Sequence, residues 1–352
     1  MGYDHTMLRT WFSVAFMLCL GACNQVATIG RDVPPDVLSG DLPDSALKGR
    51  FRAMDGTELA FVAFEPPEAT AAIVILPGFS ESYVNYGELM ADFGAQGYAS
   101  YTMDLRGMGL SEHLAPNKQV VHVENFSDYV GDVDQFLREV VAPNKRGRPL
   151  FLFAHSTGAL VATVYLASHP GVFHAAALSA PLYGLKTPMP EFLAATIVAV
   201  YEMLGFAKGY GPGGHDAALD ERRFETNLAT HSPQRYDRVA ANWAIYPQLV
   251  VGGPSIRWIR EILVATRKLP ETVPLISEPL LIMQAGRDAF VRLEPQVALC
   301  RLISHCRIEF FSGSFHEILR ERDIWRRSLL SKVLQLYASQ RVSPPERRSA
   351  TP

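Results

Sequence analysis

The chain has 352 residues, of which 48% are hydrophobic and 20% charged, and its formal net charge is -3. That length accommodates two average domains or one large α/β domain with an insertion, and the apolar content is ample for a core. The near-neutral balance argues against a nucleic-acid partner, which needs a clustered basic surface. The basic gathering at Arg320, Arg322, Arg326 and Arg327 is interleaved with acidic residues and reads as a solvated helix face.

In chain order, Arg9 precedes an apolar run over residues 11–20. The run is short of the ~20 residues a membrane-spanning helix needs and suits the apolar region of a secretory signal. Asp4 is unusual ahead of such a run, which makes Met7 an alternative start. The run ends in Leu20-Gly21-Ala22-Cys23, which is similar to a bacterial lipoprotein box: small residues before a cysteine that is lipidated and becomes the mature N-terminus. A plain signal peptide with an incidental cysteine, or a buried apolar helix, are the competing readings. The favoured one makes residues 1–22 a signal peptide and residues 23–48 a tether rich in Pro, Asp, Ser and Gly. It places the protein in the bacterial cell envelope, facing the periplasm on a lipid anchor. Asn24 is not aspartate, which favours the outer membrane.

Residues 51–54 and 59–64 flank Asp55-Gly56-Thr57, a hairpin signal. Residues 72–76 are a continuous apolar run, the form of a strand buried on both faces. A helical pattern covers 83–96, a strand 98–104, a helix 123–141, a strand 149–154, a helix 158–168 and a strand 175–179. Such alternation predicts a mostly parallel sheet with helices on both faces. It pauses over 183–277, which is helix-like with Gly and Pro breaks and no clear buried strand. Strands resume at 279–284 and 307–311, and a helix covers 323–338. The expected organisation is therefore a core in two parts, 49–182 and 278–342, divided by a helical cap at 183–277, with a disordered tail at 343–352. Cys300 and Cys306 can form a disulfide if the protein is exported, or remain two thiols. With only His305 beside them they are a poor zinc set.

Ala154-His155-Ser156-Thr157-Gly158 sits between a strand and a helix. A serine hydroxyl is a poor nucleophile unless held against a base and aimed at an open site. A sharp strand-to-helix turn does the aiming and tolerates only small residues two before and two after the serine, which Ala154 and Gly158 provide. His155, beside Ser156 on the turn, points away from its hydroxyl and reads as support beneath the elbow. Leu76-Pro77-Gly78-Phe79 follows a buried strand, where the backbone N–H of Phe79 can join that of Thr157 as an oxyanion hole, each donor being worth roughly 3–4 kcal/mol. The acid and base should follow in that order, each just past a strand. Asp288 after 279–284 and His316 after 307–311 meet this: His316 takes the proton of Ser156, and Asp288 fixes its tautomer. Glu317 and Asp323 are rival acids, but both lie after the histidine.

With 76–83 and the run Asp104-Leu105-Arg106-Gly107-Met108-Gly109-Leu110-Ser111, the elbow resembles the lysophospholipase and monoacylglycerol lipase branch of the α/β-hydrolases, bacterial lysophospholipases above all. In the cap, Asn227 to Ser232, Arg235-Tyr236, Gly252-Gly253-Pro254 and Trp258 are also similar to that group. The resemblance spans roughly residues 49–340. It implies an α/β-hydrolase fold and a serine esterase for lipid or other acyl esters carrying one long chain, with no cofactor and no metal. The apolar stretch 192–204 can line an acyl slot or merely pack onto the sheet domain, as most of its side chains are expected to do. Members of the group are also classed with serine aminopeptidases, so an esterase or peptidase for small soluble substrates is the alternative. A silent binding scaffold is a third reading, opposed by the intact site. Serine on the elbow disfavours an aspartate-nucleophile dehalogenase or epoxide hydrolase.

Overall fold

The computed structural model describes residues 42–187, 189–218 and 223–341. Cys23, the signal segment and the tail at 343–352 lie outside the described residues. The edge strand β1 (Leu47–Arg52) and its neighbour β2 (Glu58–Phe64) pair antiparallel about the Asp55-Gly56-Thr57 turn, where Thr57 N–H bonds to Asp55 Oδ1 at 3.0 Å. The strand β1 begins inside the segment expected to be tether: Leu47 and Lys48 pair with Ala63 and Val62. Its outer side chains face solvent, so apolar alternation gave no signal there.

The apolar run becomes β3 (Ala71–Leu76), every residue of it buried. A 3-10 turn (Tyr83–Tyr86) leads into α1 (Gly87–Ala95), and β4 (Tyr98–Met103) follows. The two-residue strand β5 (Val120–Val121) precedes α2 (Phe126–Phe136). That helix starts later than its apolar pattern suggested, because Asn125 is extended and the Asp128 carboxylate accepts its N–H at 3.0 Å, closing the helix end. One π-turn (Leu137–Val141) carries it into the short α3 (Ala142–Asn144). Next come β6 (Leu150–His155), α4 (Ser156–Ser168) and β7 (Ala176–Ser179).

The region expected to be a cap holds α5 (Glu191–Met203), α6 (Pro233–Ile245) and α7 (Ile256–Thr272). It also holds one two-residue strand, β8 (Gly253–Pro254), paired parallel with β5. The remaining elements are β9 (Leu280–Ala285), α8 (Glu294–Cys300), β10 (Cys306–Phe311) and α9 (Asp323–Gln340). A disulfide joins Cys300 to Cys306, whose Cα atoms are 5.4 Å apart.

The large sheet has eight strands in the order β1-β2-β4-β3-β6-β7-β9-β10. Pairing from β4 to β10 is parallel throughout. Buried apolar side chains on its two faces form separate clusters, one including Val74, Leu152 and Ile282, the other Ile73, Phe153 and Met283. Each such side chain contributes about 1.5–3 kcal/mol on leaving water. Several side chains of the segment 183–277 fasten it to the rest of the fold. Ser255 caps α7 by accepting Trp258 N–H at 3.0 Å and bonds His122 Nδ1 at 2.9 Å. Thr230 Oγ1 donates to the Arg320 carbonyl at 2.6 Å, and Arg235 binds both Glu88 and Asp323.

Two of the four arginines expected on a solvated face are not there. Arg320 and Arg326 are buried, Arg320 against Glu81 and Glu317, Arg326 against Asp92 and Glu88. Among the described residues no helix is long and apolar enough to cross a membrane.

Candidate active site

Ser156 stands where β6 ends and α4 begins, at φ 49°. A non-glycine residue held at positive φ is strained, and such strain is the mark of a residue aimed by its surroundings. The next turn shows why Gly158 is required: a Cβ there would lie 2.3 Å from the Pro77 carbonyl oxygen and 2.5 Å from that of Leu76. Helix α4 can approach the end of β3 only without that atom. Ala154, fully buried and paired with Leu76, fits its place.

From the far side of the sheet, His316 follows β10 and Asp288 follows β9. The two loops are tied together, Arg287 N–H to the Ser314 carbonyl at 2.9 Å and Gly286 N–H to that of Phe311 at 2.9 Å. His316 Nε2 lies 2.9 Å from Ser156 Oγ, and its Nδ1 lies 2.6 Å from Asp288 Oδ2. The other carboxylate oxygen, Oδ1, accepts the N–H groups of Phe290 at 2.8 Å and Val291 at 3.0 Å. Burial acts to raise the Asp288 carboxyl, but the hydrogen bond and charge of His316 and these two N–H groups hold it below the usual carboxylate range. An ionised carboxylate only accepts, so Nδ1 carries the hydrogen and Nε2 is left to take a proton from Ser156. All three side chains are buried. The rival acids are engaged elsewhere: Asp323 with Arg235 and Arg327, Glu317 with Arg320.

Gly78 runs past the nucleophile, for a Cβ on it would sit 3.3 Å from Ser156 Cβ. The next residue, Phe79, is met edge-on by Trp258 of α7, ring centroids 4.9 Å apart, and Trp258 Nε1 donates to Tyr129 Oη at 3.1 Å. Thr157 is in the first turn of α4, where backbone N–H groups have no acceptor inside the helix. Gly78, the residue before Phe79, thus runs beside Ser156, and Thr157 follows Ser156 in the chain. The loop is braced by Asp104, which accepts Ser82 Oγ at 2.7 Å, Tyr83 N–H at 2.5 Å and Leu110 N–H at 2.7 Å. His155 turns from Ser156 as expected, and its Nδ1 bonds the Ser179 carbonyl at 3.1 Å. Burial drives this imidazole down to about 4, so it is neutral.

Sequence reasoning passed over Glu81 as a functional residue. With His155 and Glu317 it forms a group whose potential ligand atoms lie within 4.8 Å of one another. The guanidinium of Arg320 already supplies a cation to both carboxylates, so the group is arranged as an ion-pair cluster.

A mostly parallel sheet whose strand ends carry an elbow serine and a carboxylate-oriented imidazole is that of an α/β-hydrolase. Solved structures agree on the fold: a soluble variant of monoglyceride lipase from Saccharomyces cerevisiae superposes with a TM-score of 0.66 at 18% identity, covering 85% of this chain and 97% of that one. The chain belongs to the serine aminopeptidase S33 family, whose model matches residues 67–323. It is similar to lysophospholipase L2 of Escherichia coli, 33% identical over 311 residues, 86% of this chain and 90% of that protein. It is also similar to a monoacylglycerol lipase of Mycolicibacterium smegmatis, 22% identical over 274 residues, 77% and 90% of the two chains.

Proposed function

We propose that this serine ester hydrolase acts on lipids with one long acyl chain, lysophospholipids or monoacylglycerols, through an acyl-enzyme on Ser156. The observation that carries the reading is the continuous hydrogen-bonded chain Ser156–His316–Asp288 at the strand ends. Ser156 Oγ attacks the acyl carbonyl carbon while its proton passes to His316 Nε2. The C=O π pair moves onto the carbonyl oxygen, which becomes an anion and accepts the N–H groups of Phe79 and Thr157. Collapse breaks the ester bond, and the leaving alcohol takes the proton from His316. Water then attacks the acyl-enzyme and gives a proton to the same nitrogen; the bond to Ser156 Oγ breaks, Oγ takes that proton back, and the fatty acid leaves. Asp288 holds the tautomer and offsets the charge on the imidazolium.

Support for a lipid substrate comes from the similarity to the E. coli lysophospholipase and from the cap. Its helix α5 leaves Phe192, Leu193, Val200, Tyr201 and Met203 exposed. Hydrolysis rates on lysophospholipid, monoacylglycerol, short esters and aminoacyl amides test the reading side by side. Long single-chain esters should be fastest, and faster turnover of amides would reverse it.

The anchor belongs to the same proposal. Cys23 becomes the lipidated N-terminus of an envelope protein facing the periplasm, with the outer membrane favoured, on the strength of Leu20-Gly21-Ala22-Cys23. A disulfide between Cys300 and Cys306 suits an exported chain. Cys23→Ser should release the protein from membranes or leave the precursor uncleaved; unchanged processing and fractionation would refute it.

A further inference from the structure

The loop after β3 has the most pliant residue available, Gly78, as its second residue, directly before the N–H assigned to the oxyanion. A glycine samples backbone space that other residues do not, so a donor following it needs an external restraint. Glu81 supplies one. Its Oε2 accepts Gly78 N–H at 2.5 Å and Tyr86 Oη–H at 2.6 Å. Its Oε1 receives Arg320 Nη2. Arg320 closes the 3-10 turn Ile318–Arg320, which begins two residues past His316, and its Nη1 binds Glu317. The same guanidinium lies 5.6 Å from the centre of the Tyr86 ring. Two chain segments 239 positions apart therefore meet in one buried cluster, one leading to the oxyanion donor and the other carrying the base.

We propose that Glu81, held by Arg320, is a positioning residue for the oxyanion site: it pins Gly78 so that Phe79 N–H faces the developing charge, and it ties that loop to the one bearing His316. The inference rests on Phe79 and Thr157 being the oxyanion donors. Burial raises the cost of a charge on Glu81, yet Arg320 first, then His155, Tyr86 and Gly78, hold its carboxyl down at about 2. It is ionised at any pH at which the enzyme would work. Glu317, sharing the same arginine, is pushed up by burial.

Glu81→Gln keeps the shape and removes the charge. On a soluble p-nitrophenyl ester it should lower kcat about 10- to 100-fold with KM within about twofold, the size expected when a catalytic group shifts by a fraction of an ångström to one ångström. Arg320→Gln should act alike, and the double variant should cost little more than either, since both break one unit. The decisive readout is inhibitor affinity. An alkyl boronic acid, whose tetrahedral adduct carries the anionic oxygen, should lose affinity in step with kcat. A neutral, uncleavable alkyl amide should not. Equal loss of both ligands, or an unchanged kcat with a lowered Tm, would overturn the proposal and leave Glu81 a purely structural residue. Should Glu81→Gln fail to fold, Tyr86→Phe, which deletes one bond to the carboxylate, decides the matter by the same ligand pair, with about a threefold loss of boronate affinity expected. Labelling of the unaltered protein by a fluorophosphonate separates the two levels: no labelling refutes the catalytic reading itself, whereas labelling with indiscriminate inhibitor loss refutes the positioning role alone.

Discussion

Strand β3 and helix α5 are both strongly apolar, and they use their side chains in opposite ways. Every residue of β3 is buried, while in α5 only Val198 is, and Phe192 remains 65% exposed. Strands β6 and β9 resemble β3, and their ends hold Ser156 and Asp288. Apolar residues packed on both sides leave the backbone no latitude, which is what a site specified to a few tenths of an ångström needs. A helix presenting apolar atoms to water serves contact with something apolar instead. The difference between the two regions predicts how each responds to change.

The largest effects belong to the sheet ends. Ser156→Ala and His316→Ala should each lower kcat by ~10⁴–10⁶, and the double variant should cost little more. Asp288→Asn should cost on the order of 10⁴, because the imidazole loses its tautomer restraint but remains. Asp323→Asn, at a side chain that is half exposed, is the control and should leave turnover nearly unchanged. Loss of turnover in Asp323→Asn with activity kept in Asp288→Asn would move the acid out of the sheet and break the comparison.

Gly158→Ala tests the packing behind the elbow. Its methyl would fall 2.3 Å from the Pro77 carbonyl oxygen, so helix and strand must part. Thermal melting should register a loss of about 1–3 kcal/mol, with activity falling too. A stable, active Gly158→Ala would mean that the turn is looser than the sheet around it.

His155 gives a pH signature of burial. Its imidazole sits near 4 in the folded protein, against about 6.5 in an unfolded chain. Between those values the unfolded chain binds the extra proton, so stability declines as pH falls from about 6.5 to 4. Urea melts at stepped pH should show a shallower decline in His155→Asn than in the parent, whatever their absolute stabilities. Equal slopes would mean that the imidazole is not held neutral by its surroundings.

At the mild end, Phe192→Ala on α5 should change stability by less than about 0.5 kcal/mol, as surface substitutions usually do. It should nonetheless alter the ratio of long- to short-chain ester turnover. A large drop in Tm would make Phe192 a packing residue and erase the contrast with β3.

The features legible in the sequence share one property: they are local. Ser156, Asp288 and His316 each follow a short apolar run, and the elbow motif, chain order and that placement picked out residues that the fold brings within hydrogen-bond reach. The disulfide was left open because a Cα separation is not written in a spacing. The features misread or missed depend on distant segments. Arg320 lies among acidic neighbours in sequence and was taken for a solvated residue, yet its partner Glu81 is on another loop entirely. Leu47 and Lys48 were assigned to the tether because an exposed edge strand lacks apolar alternation. The pair β5–β8, two residues long on each side, is too short for any periodicity.

The bond between Cys300 and Cys306 closes a small ring, a constraint worth about 2 kcal/mol of stability in the chain-entropy view. Cys306 opens β10, whereas His316 follows the other end of that strand, about 20 Å away at the usual rise per residue. Oxidation state should therefore alter how firmly the protein holds together without altering its chemistry. Two preparations, one folded among thiols and one folded where thiols are oxidised, should share a kcat and differ in Tm. The melting curve then serves as a record of provenance, telling where a given batch of chain acquired its shape.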